Sequence, residues 1–376
     1  MSVVIREINT RRELKKFISF ADRLYRDCPY YCPPIRFDEM NTFDRKKNPA
    51  MDVCDFQLFM AFRDGKAVGR IAALVNNRAN EFWKEKKVRF RWFDFIDDME
   101  VSHALLDAVR DWGRQRGLNA MNGPLGFTDW DHEGLLIEGY DYVAPLASLY
   151  NYPYYVKHFE AYGLTKDVDW IEMQVTPPKE IPERLVRMEK IVRERSKVHV
   201  VKFKNRKEME DHYGLTYMDV LDQAYQSLHN FQPLTDRQKK YYNDMYFPLL
   251  NMDFLTIVAN EKDEVVGIGV GMPDISKAVR RCHGRLFPFG WLRILRALKT
   301  KRIDVFDTLL IAVRPDYQNT GINILFFTDQ IPYFNKYHVR YFETTSILES
   351  NMKSLSQFYL YEHKFHKRRR AYIMDI

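Results

Sequence analysis

The sequence predicts a mixed α/β protein built from two successive units of one fold. Its 376 residues are too many for one ordinary core and suit two domains. The segment Thr176-Pro177-Pro178-Lys179-Glu180-Ile181-Pro182 sets three prolines between an alternating, strand-like run and a charged helical one, so the chain breaks near its middle. Strands and helices also recur in one order on either side of that break, with hairpins among them. This argues for a mixed α+β sheet repeated in tandem and against a bundle. The expected units are 1–176 and 198–376, with 177–197 as linker and connecting helix.

In the first unit, Val3 to Ile8 reads as a strand and Arg11 to Tyr25 as a helix. Strands follow at Phe56 to Phe62 and Ala67 to Val75, joined at Arg63-Asp64-Gly65-Lys66. Asp-Gly tolerates positive φ at both central positions, which makes this a hairpin turn. Val88 to Phe95 is the next strand, and a helix from Glu100 to Arg116 ends at Gly117. A glycine-rich loop, a helix and a strand to Val175 complete the unit. The second unit starts with strand Val198 to Lys202 and helices between Arg206 and Leu228. Phe254 to Ala259 pairs with Val265 to Met272. After a basic segment come strand Ile303 to Val313, a turn, a helix to Tyr337, strand Arg340 to Ile347 and a closing helix and strand.

The composition, 46% hydrophobic and 29% charged, is that of a folded globular chain and excludes disordered and fibrous classes. The N-terminus lacks a basic segment followed by a long apolar one, and no run of about 18 apolar residues offers a membrane span. Cys28 and Cys32 flank two tyrosines, Cys54 and Cys282 stand alone, and none has metal-ligand spacing. His132, among acidic neighbours, has no second His or Cys at ligand spacing either, so no metal is expected. These features read as a reducing, cytoplasmic chain.

The most informative segment follows strand Ile303–Val313: Arg314-Pro315-Asp316-Tyr317-Gln318-Asn319-Thr320-Gly321-Ile322-Asn323, then the apolar helix opening Ile324-Leu325-Phe326-Phe327. The first turn of a helix leaves backbone N–H groups unpaired at the positive end of its dipole, so a strand-turn-helix unit of this kind can hold an anion. Gly321 removes the Cβ that would keep a phosphate away. The segment resembles the Gln/Arg-x-x-Gly-x-Gly/Ala signature of the GNAT superfamily of acyl-CoA N-acyltransferases. Gln318 and Gly321 match it, while Asn323 stands where the family usually has Gly or Ala. Phe231-Gln232-Pro233-Leu234-Thr235, Met272-Pro273-Asp274, Gly284-Arg285-Leu286-Phe287-Pro288-Phe289-Gly290 and Ser346-Ile347-Leu348-Glu349-Ser350-Asn351 further resemble a YghO-like bacterial family of double-GNAT proteins. The first half resembles it more loosely, at Asn122-Gly123-Pro124 and Gly134-Leu135-Leu136-Ile137-Glu138-Gly139. Some relatives of that family are bacterial ceramide synthases.

This resemblance implies two GNAT-like domains, acetyl-CoA or a longer acyl-CoA as co-substrate, and transfer of the acyl group to an amine, either a small molecule or a lipid such as a sphingoid base. It implies that Ile311, Ala312 and Val313 of the strand, with Gln318, Asn319, Thr320, Gly321, Ile322 and Asn323 of the turn, hold the coenzyme. Asn351 resembles a helix-starting asparagine that contacts the pantetheine arm, and as an N-cap it has a structural use in any case. Acyl transfer to an amine needs a base. On strict alternation Asp307, Leu309, Ile311 and Val313 share one strand face, and Asp307 falls where GNAT enzymes often place a carboxylate. Glu343 and Glu349 are rival bases, and an edge aspartate paired with Arg or Lys remains the plain alternative. Leu360-Tyr361-Glu362-His363-Lys364-Phe365 is similar to the segment that supplies the acid to the leaving thiolate, which would be Tyr361 or Tyr359.

In the first unit the corresponding turn is Ile96-Asp97-Asp98-Met99-Glu100, whose carboxylates would repel a diphosphate; this unit is expected to lack the coenzyme site. Asn122 to Phe127, with Asp129, Asp131, His132 and Glu133, forms either a pocket wall or a plain loop. The net charge of +7 concentrates in Lys84 to Arg91, His366 to Arg370 and Arg280 to Arg302. As a helix, Phe289 to Lys301 puts Trp291, Ile294, Leu295 and Leu298 on one face and Arg293, Arg296 and Lys299 toward the other. That pattern suits peripheral contact with the inner membrane or packing on the chain's own domain. No nucleic-acid-binding motif is present. A non-catalytic GNAT-like module that binds a ligand or a membrane is the alternative function. Paired GNAT domains also occur in aminoacyl-tRNA-dependent transferases, but the coiled-coil arm of those enzymes has no counterpart here.

Overall fold

Local signals fix the element ends before packing does. Thr10 accepts from the Glu13 amide while Glu13 reaches back to Thr10, a capping box that opens the first helix, and Thr235 and Gln238 repeat the device further on. Asp64 and Gly65 both take positive φ, as the hairpin turn between them requires.

The computed structural model describes residues 2–146 and 148–376. Its first half contains β1 (Val4–Ile8), α1 (Arg11–Leu24), α2 (Arg36–Thr42), β2 (Cys54–Arg63), β3 (Lys66–Asn76), α3 (Asn77–Trp83), β4 (Lys87–Phe95) and α4 (Met99–Arg114). These are followed by β5 (Ala120–Gly123), β6 (Leu135–Glu138), α5 (Tyr154–Ala161) and β7 (Thr165–Val175). The second half begins with α6 (Glu183–Ser196), β8 (Val198–Val201), α7 (Arg206–Tyr213), α8 (Thr216–Tyr225) and α9 (Asp236–Tyr246). It continues through β9 (Leu255–Asn260), β10 (Val265–Pro273), α10 (Ser276–Arg281), α11 (Gly290–Leu298), β11 (Val305–Val313) and α12 (Asn323–Lys336). It ends with β12 (Tyr341–Thr344), β13 (Ile347–Leu348), α13 (Met352–Ser356) and β14 (His363–Asp375).

One mixed sheet runs through the whole molecule in the order β1-β2-β3-β4-β5-β14-β7-β12-β11-β10-β9-β8. The order is palindromic about the β14–β7 pair. Each half lays down five strands, with one parallel pair (β4–β5 and β11–β12), and each half's last long strand then lies beside the fifth strand of the other half. β14 and β7 pair from His363 opposite Val175 to Ile373 opposite Thr165. Helices cover both faces. Leu105, Val109, Tyr155 and Phe159 fill one side of the first half and Phe17, Phe20 and Trp92 the other. In the second half Phe306, Leu325, Phe326 and Phe334 fill one side, and Tyr217, Leu221, Ile257 and Ile268 the other.

The fourth strand of each half carries an extra residue. Gly271 faces Thr308 and Val270 faces Leu310, so Leu309 bulges from β11; Arg70 faces Asp94 and Ala72 faces Arg91, so β4 carries the same irregularity, with Trp92 at φ +49°. The β11 bulge corrects the strict alternation expected from the sequence. Phe306 packs in the same core as Ile311 and Val313, while Leu309, Leu310 and Ala312 pack in the opposite one. Asp307 therefore shares no face with Ile311 and Val313, because the inserted residue flips the alternation between them. The strand expected over Arg340 to Ile347 is likewise broken into β12 and β13.

Candidate functional site

The turn after β11 leaves its amides open. Gln318 extends from a short helical turn and donates its side-chain amide to the Val313 carbonyl at 3.1 Å, closing the turn on the strand end. Asn319 and Gly321 take left-handed φ of +66° and +88°. Helix α12 starts with no side-chain cap. The Ile324 and Leu325 amides bond to the carbonyls of Gly321 and Ile322, whereas among the described residues the amides of Asn319, Gly321, Ile322 and Asn323 have no acceptor. A Cβ on Gly321 would stand 3.2 Å from Val192 Cγ2. Thr320 uses its hydroxyl on the Tyr317 carbonyl, and Asn323 donates to Gln357 at 3.3 Å, tying the turn to the segment before β14.

The equivalent place in the first half is closed. Asp98 caps α4 by accepting from the amides of Glu100 (3.0 Å) and Val101 (3.4 Å), and its other oxygen is held by Arg63 at 2.6 Å. The donors that are open after β11 are thus occupied after β4, and negative charge surrounds them. Asp98 is thus a helix cap, and its carboxylate takes first-turn amides of α4.

β11 and β12 separate as they run. They pair from Val305–Tyr341 to Thr308–Thr344, and beyond Thr308 no strand among the described residues pairs with the β12-side edge of β11. The bulge at Leu309 sits where the pair opens. The Ile311 carbonyl accepts from the Tyr225 hydroxyl at 3.1 Å. Ala312 is buried, and Val313 carries the carbonyl that Gln318 closes upon.

Asp307 lies at the root of this opening, 6% exposed, with Glu343 as its register partner on β12. Its Oδ1 has no hydrogen-bond partner among the described residues. Burial, and then the nearby carboxylates of Asp274 and Glu343, push its pKa well above the usual carboxylate value. Glu343 has the opposite fate. Burial alone would raise its pKa, but His366, with Nε2 3.4 Å away, and Lys367, with Nζ at 2.9 Å, hold it low. Glu172, also buried, is held at about 2 by Arg369 and Lys367 against its own desolvation. Glu172, Glu343 and His366 could together surround a cation, but Lys367 and Arg369 already neutralise the two carboxylates.

The other expected residues lie apart. Glu349 follows β13 and pairs with Lys166 and Arg368, so it serves an ion-pair network beside β14. Asn351 caps α13 through the Ser354 amide at 3.2 Å. Tyr361 is buried against Phe327, with ring centres 5.3 Å apart. Its hydroxyl has no partner among the described residues, and burial raises its pKa. Tyr359 is exposed and stacks on His363.

Three groups near Asp307 escaped the sequence reading: Asp274, Lys367 and Glu172. The loop over 122–133 forms a seam between the halves, buried up to Thr128 and half-buried from Asp129 to Glu133. Burial raises Asp129 to about 7 and Glu133 to about 8 and lowers His132 to about 3. Glu133 accepts from Asn230 at 2.9 Å, and Trp130 stacks on Tyr242. A cavity of about 210 Å³ opens nearby, lined by Trp83, Arg89, Asn122, Asp167, His229 and Asn230.

With this geometry, similarity to known proteins becomes informative. No protein-family model matches the chain. Protein YghO of Escherichia coli is 30% identical over 322 residues, which are 85% of this chain and 80% of that protein. A bacterial ceramide synthase of Caulobacter vibrioides is 26% identical over 315 residues, 83% of this chain and 81% of that one. Among solved structures, a tandem GNAT protein from the clavulanic acid biosynthesis pathway superposes with a TM-score of 0.57 at 10% identity, covering 100% of this chain and 98% of that chain. A GCN5-related N-acetyltransferase from Sphaerobacter thermophilus does so with a TM-score of 0.52 at 11% identity, covering 99% and 95%. These two likenesses show a tandem GNAT fold across the whole chain. Agreement in fold, and in sequence over most of both chains, places this chain in the YghO-like family of double-GNAT proteins.

Proposed function

We propose that this chain is an acyl-CoA-dependent N-acyltransferase whose second half alone holds the coenzyme. The observation that carries the reading is the set of unpaired amides at Asn319, Gly321, Ile322 and Asn323, at the end of a bulged strand whose neighbour turns away. Those amides suit a diphosphate, and the open edge of β11 suits the extended pantetheine arm and its thioester. Asp307 then serves as base: it takes a proton from the acceptor's ammonium group, the freed amine nitrogen attacks the thioester carbonyl, and the carbon–sulfur bond breaks. Tyr361 is the candidate donor of a proton to the departing thiolate, and the second proton, which the attacking nitrogen sheds as the amide forms, restores the tyrosine. Glu343, held as an anion by His366 and Lys367, is the weaker base, because a carboxylate whose anion is stabilised accepts a proton less readily.

The Caulobacter vibrioides relative is named a ceramide synthase, and ceramide is the amide of a fatty acid with a long-chain amino alcohol. An amine on a lipid is therefore the acceptor class we favour, with a long-chain acyl-CoA as donor. Isothermal titration with acetyl-CoA and with a long-chain acyl-CoA tests the coenzyme site. Gly321→Ala forces a side chain into left-handed backbone, which costs about 1–2 kcal/mol, and brings Cβ to 3.2 Å from Val192. Affinity is expected to fall by about tenfold or more. A wild-type protein that binds neither thioester would remove the basis of this proposal.

A further inference from the structure

Helices α10 and α11 form a cationic, aromatic-tipped hairpin that the acyl-transfer chemistry does not use. One side of it is anchored. Ile294 and Leu298 pack with Val279, Ala278, Ile275 and Cys32 in a small core of their own. The Gly284 carbonyl accepts from the Arg36 amide at 3.0 Å, and Arg280 donates to the Pro29 carbonyl. Gly284 and Gly290 sit so close to the Pro34 and Arg285 carbonyls that a Cβ would come within 2.2 and 1.8 Å of them. The hairpin is therefore held in a defined shape.

Its other side faces outward. Phe287 is 75% exposed, Phe289 68%, Trp291 42% and Leu295 37%. The stripe expected from the sequence thus divides: Ile294 and Leu298 turn inward, while Trp291 and Leu295 continue the aromatic tip. Nine Lys and Arg lie from Lys277 to Arg302, with no Asp or Glu between Asp274 and Asp304. Among the described residues only Lys277 has a carboxylate partner, Asp304 at 2.6 Å. A groove of about 680 Å³ adjoins the hairpin, and its lining includes Arg281, Arg293, Arg296 and Arg302 together with Asp274 and Val305. Asp274 donates its backbone amide to the Val305 carbonyl at 2.9 Å, two residues before Asp307 on β11, so the groove ends beside the strand that carries the base.

We infer that this hairpin docks the protein on an anionic phospholipid bilayer, with Phe287, Phe289 and Trp291 in the interface and the unpaired cations on phosphate groups. Exposed aromatic side chains set among basic ones suit the boundary between acyl chains and headgroups. A solvated cationic face alone would not place two phenylalanines and a tryptophan at its tip. Resting on the acyltransferase reading, the same geometry assigns the groove to the lipid amine, which leaves the membrane headgroup-first and meets Asp274 before Asp307.

Sedimentation with vesicles of phosphatidylcholine alone, and of phosphatidylcholine mixed with phosphatidylglycerol, tests the docking. The wild type is expected to pellet with the mixed vesicles only and to be released as salt rises. Phe287→Ser with Phe289→Ser, and separately Arg293→Glu with Arg296→Glu, are expected to bind the mixed vesicles about tenfold or more weakly, since each surface cation contributes comparably. The serine pair should titrate acyl-CoA as the wild type does, which separates failure of docking from failure of the coenzyme site. Wild-type protein that stays in the supernatant with mixed vesicles overturns the inference. So does a concentration-dependent dimer that the serine pair abolishes without any vesicle binding, because the tip would then be an interface between copies of the chain.

Discussion

Asp307→Asn is expected to slow acyl transfer by about 10²–10⁴-fold, the usual worth of a positioned base, without weakening acyl-CoA binding and without destabilising the fold. An unchanged stability is what separates a catalytic carboxylate from a structural one. Asp307 is buried, its Oδ1 is unpartnered, and Asp274 and Glu343 stand near enough to oppose its ionisation. Its folded-state pKa lies above its unfolded value. Wild-type stability is therefore undiminished by this group below the unfolded pKa and falls as pH rises toward the folded one, where the anion is finally forced on the interior. Asparagine carries no such charge. Melting temperatures measured from acid to alkaline pH should show the variant equal to the wild type at low pH and equal or higher at high pH. The wild-type kcat/KM should fall as pH drops through the raised pKa of Asp307, since only the anion accepts a proton. Undiminished kcat/KM in Asp307→Asn would remove this residue from the mechanism.

Short-range chemistry was legible in the sequence; what depends on distant partners was not. The Asp64-Gly65 hairpin, the strand-turn-helix at Gly321 and the carboxylates after β4 could be read because a few neighbouring residues dictate backbone angle or charge. The bulge at Leu309 could not, since it arises from the register between β10 and β11, and it reversed the face assigned to Asp307 relative to Ile311. The buried charges on β14 were harder still. His366 to Arg370 reads as a solvated basic run. Only the exchange of β14 into the sheet of the first half, beside β7, brings Lys367 and Arg369 against Glu172 and Glu343. Helix α9 went unread because its tyrosines and charges leave no clear apolar period, although Tyr242 stacks on Trp130 across the seam. Sequence separation, 112 residues in that last case by the difference of the two numbers, is what hides such pairs.

Lys367→Met is expected to cost about 3–5 kcal/mol of folding stability at neutral pH, the penalty for leaving a buried charge without its partner. Lys367 has 1% of its side chain exposed, with Nζ 2.9 Å from Glu343 and 3.5 Å from Glu172. Methionine fills similar volume, so packing changes little and the loss is electrostatic. Glu172 keeps Arg369 at 2.5 Å and Ser346 at 3.1 Å, whereas Glu343 keeps only Gln174 at 3.2 Å and the longer approach of His366. Glu343 is therefore the group that suffers. Its folded pKa is lowered in the wild type, so it adds stability above its unfolded pKa that is lost as pH falls through the folded value. Without Lys367 that contribution disappears, and the deficit of the variant should shrink toward acid, where Glu343 is neutral in both proteins. Adding Glu343→Gln to Lys367→Met should recover a large part of the loss, because the stranded charge is gone. Because β14 and β7 cross between the halves, denaturant unfolding of the single variant should shift as one transition and not split into two. A loss below about 1 kcal/mol, or no recovery in the double variant, would mean that the Lys367–Glu343 pair holds nothing together. The strand exchange would then rest on its backbone ladder and apolar packing alone.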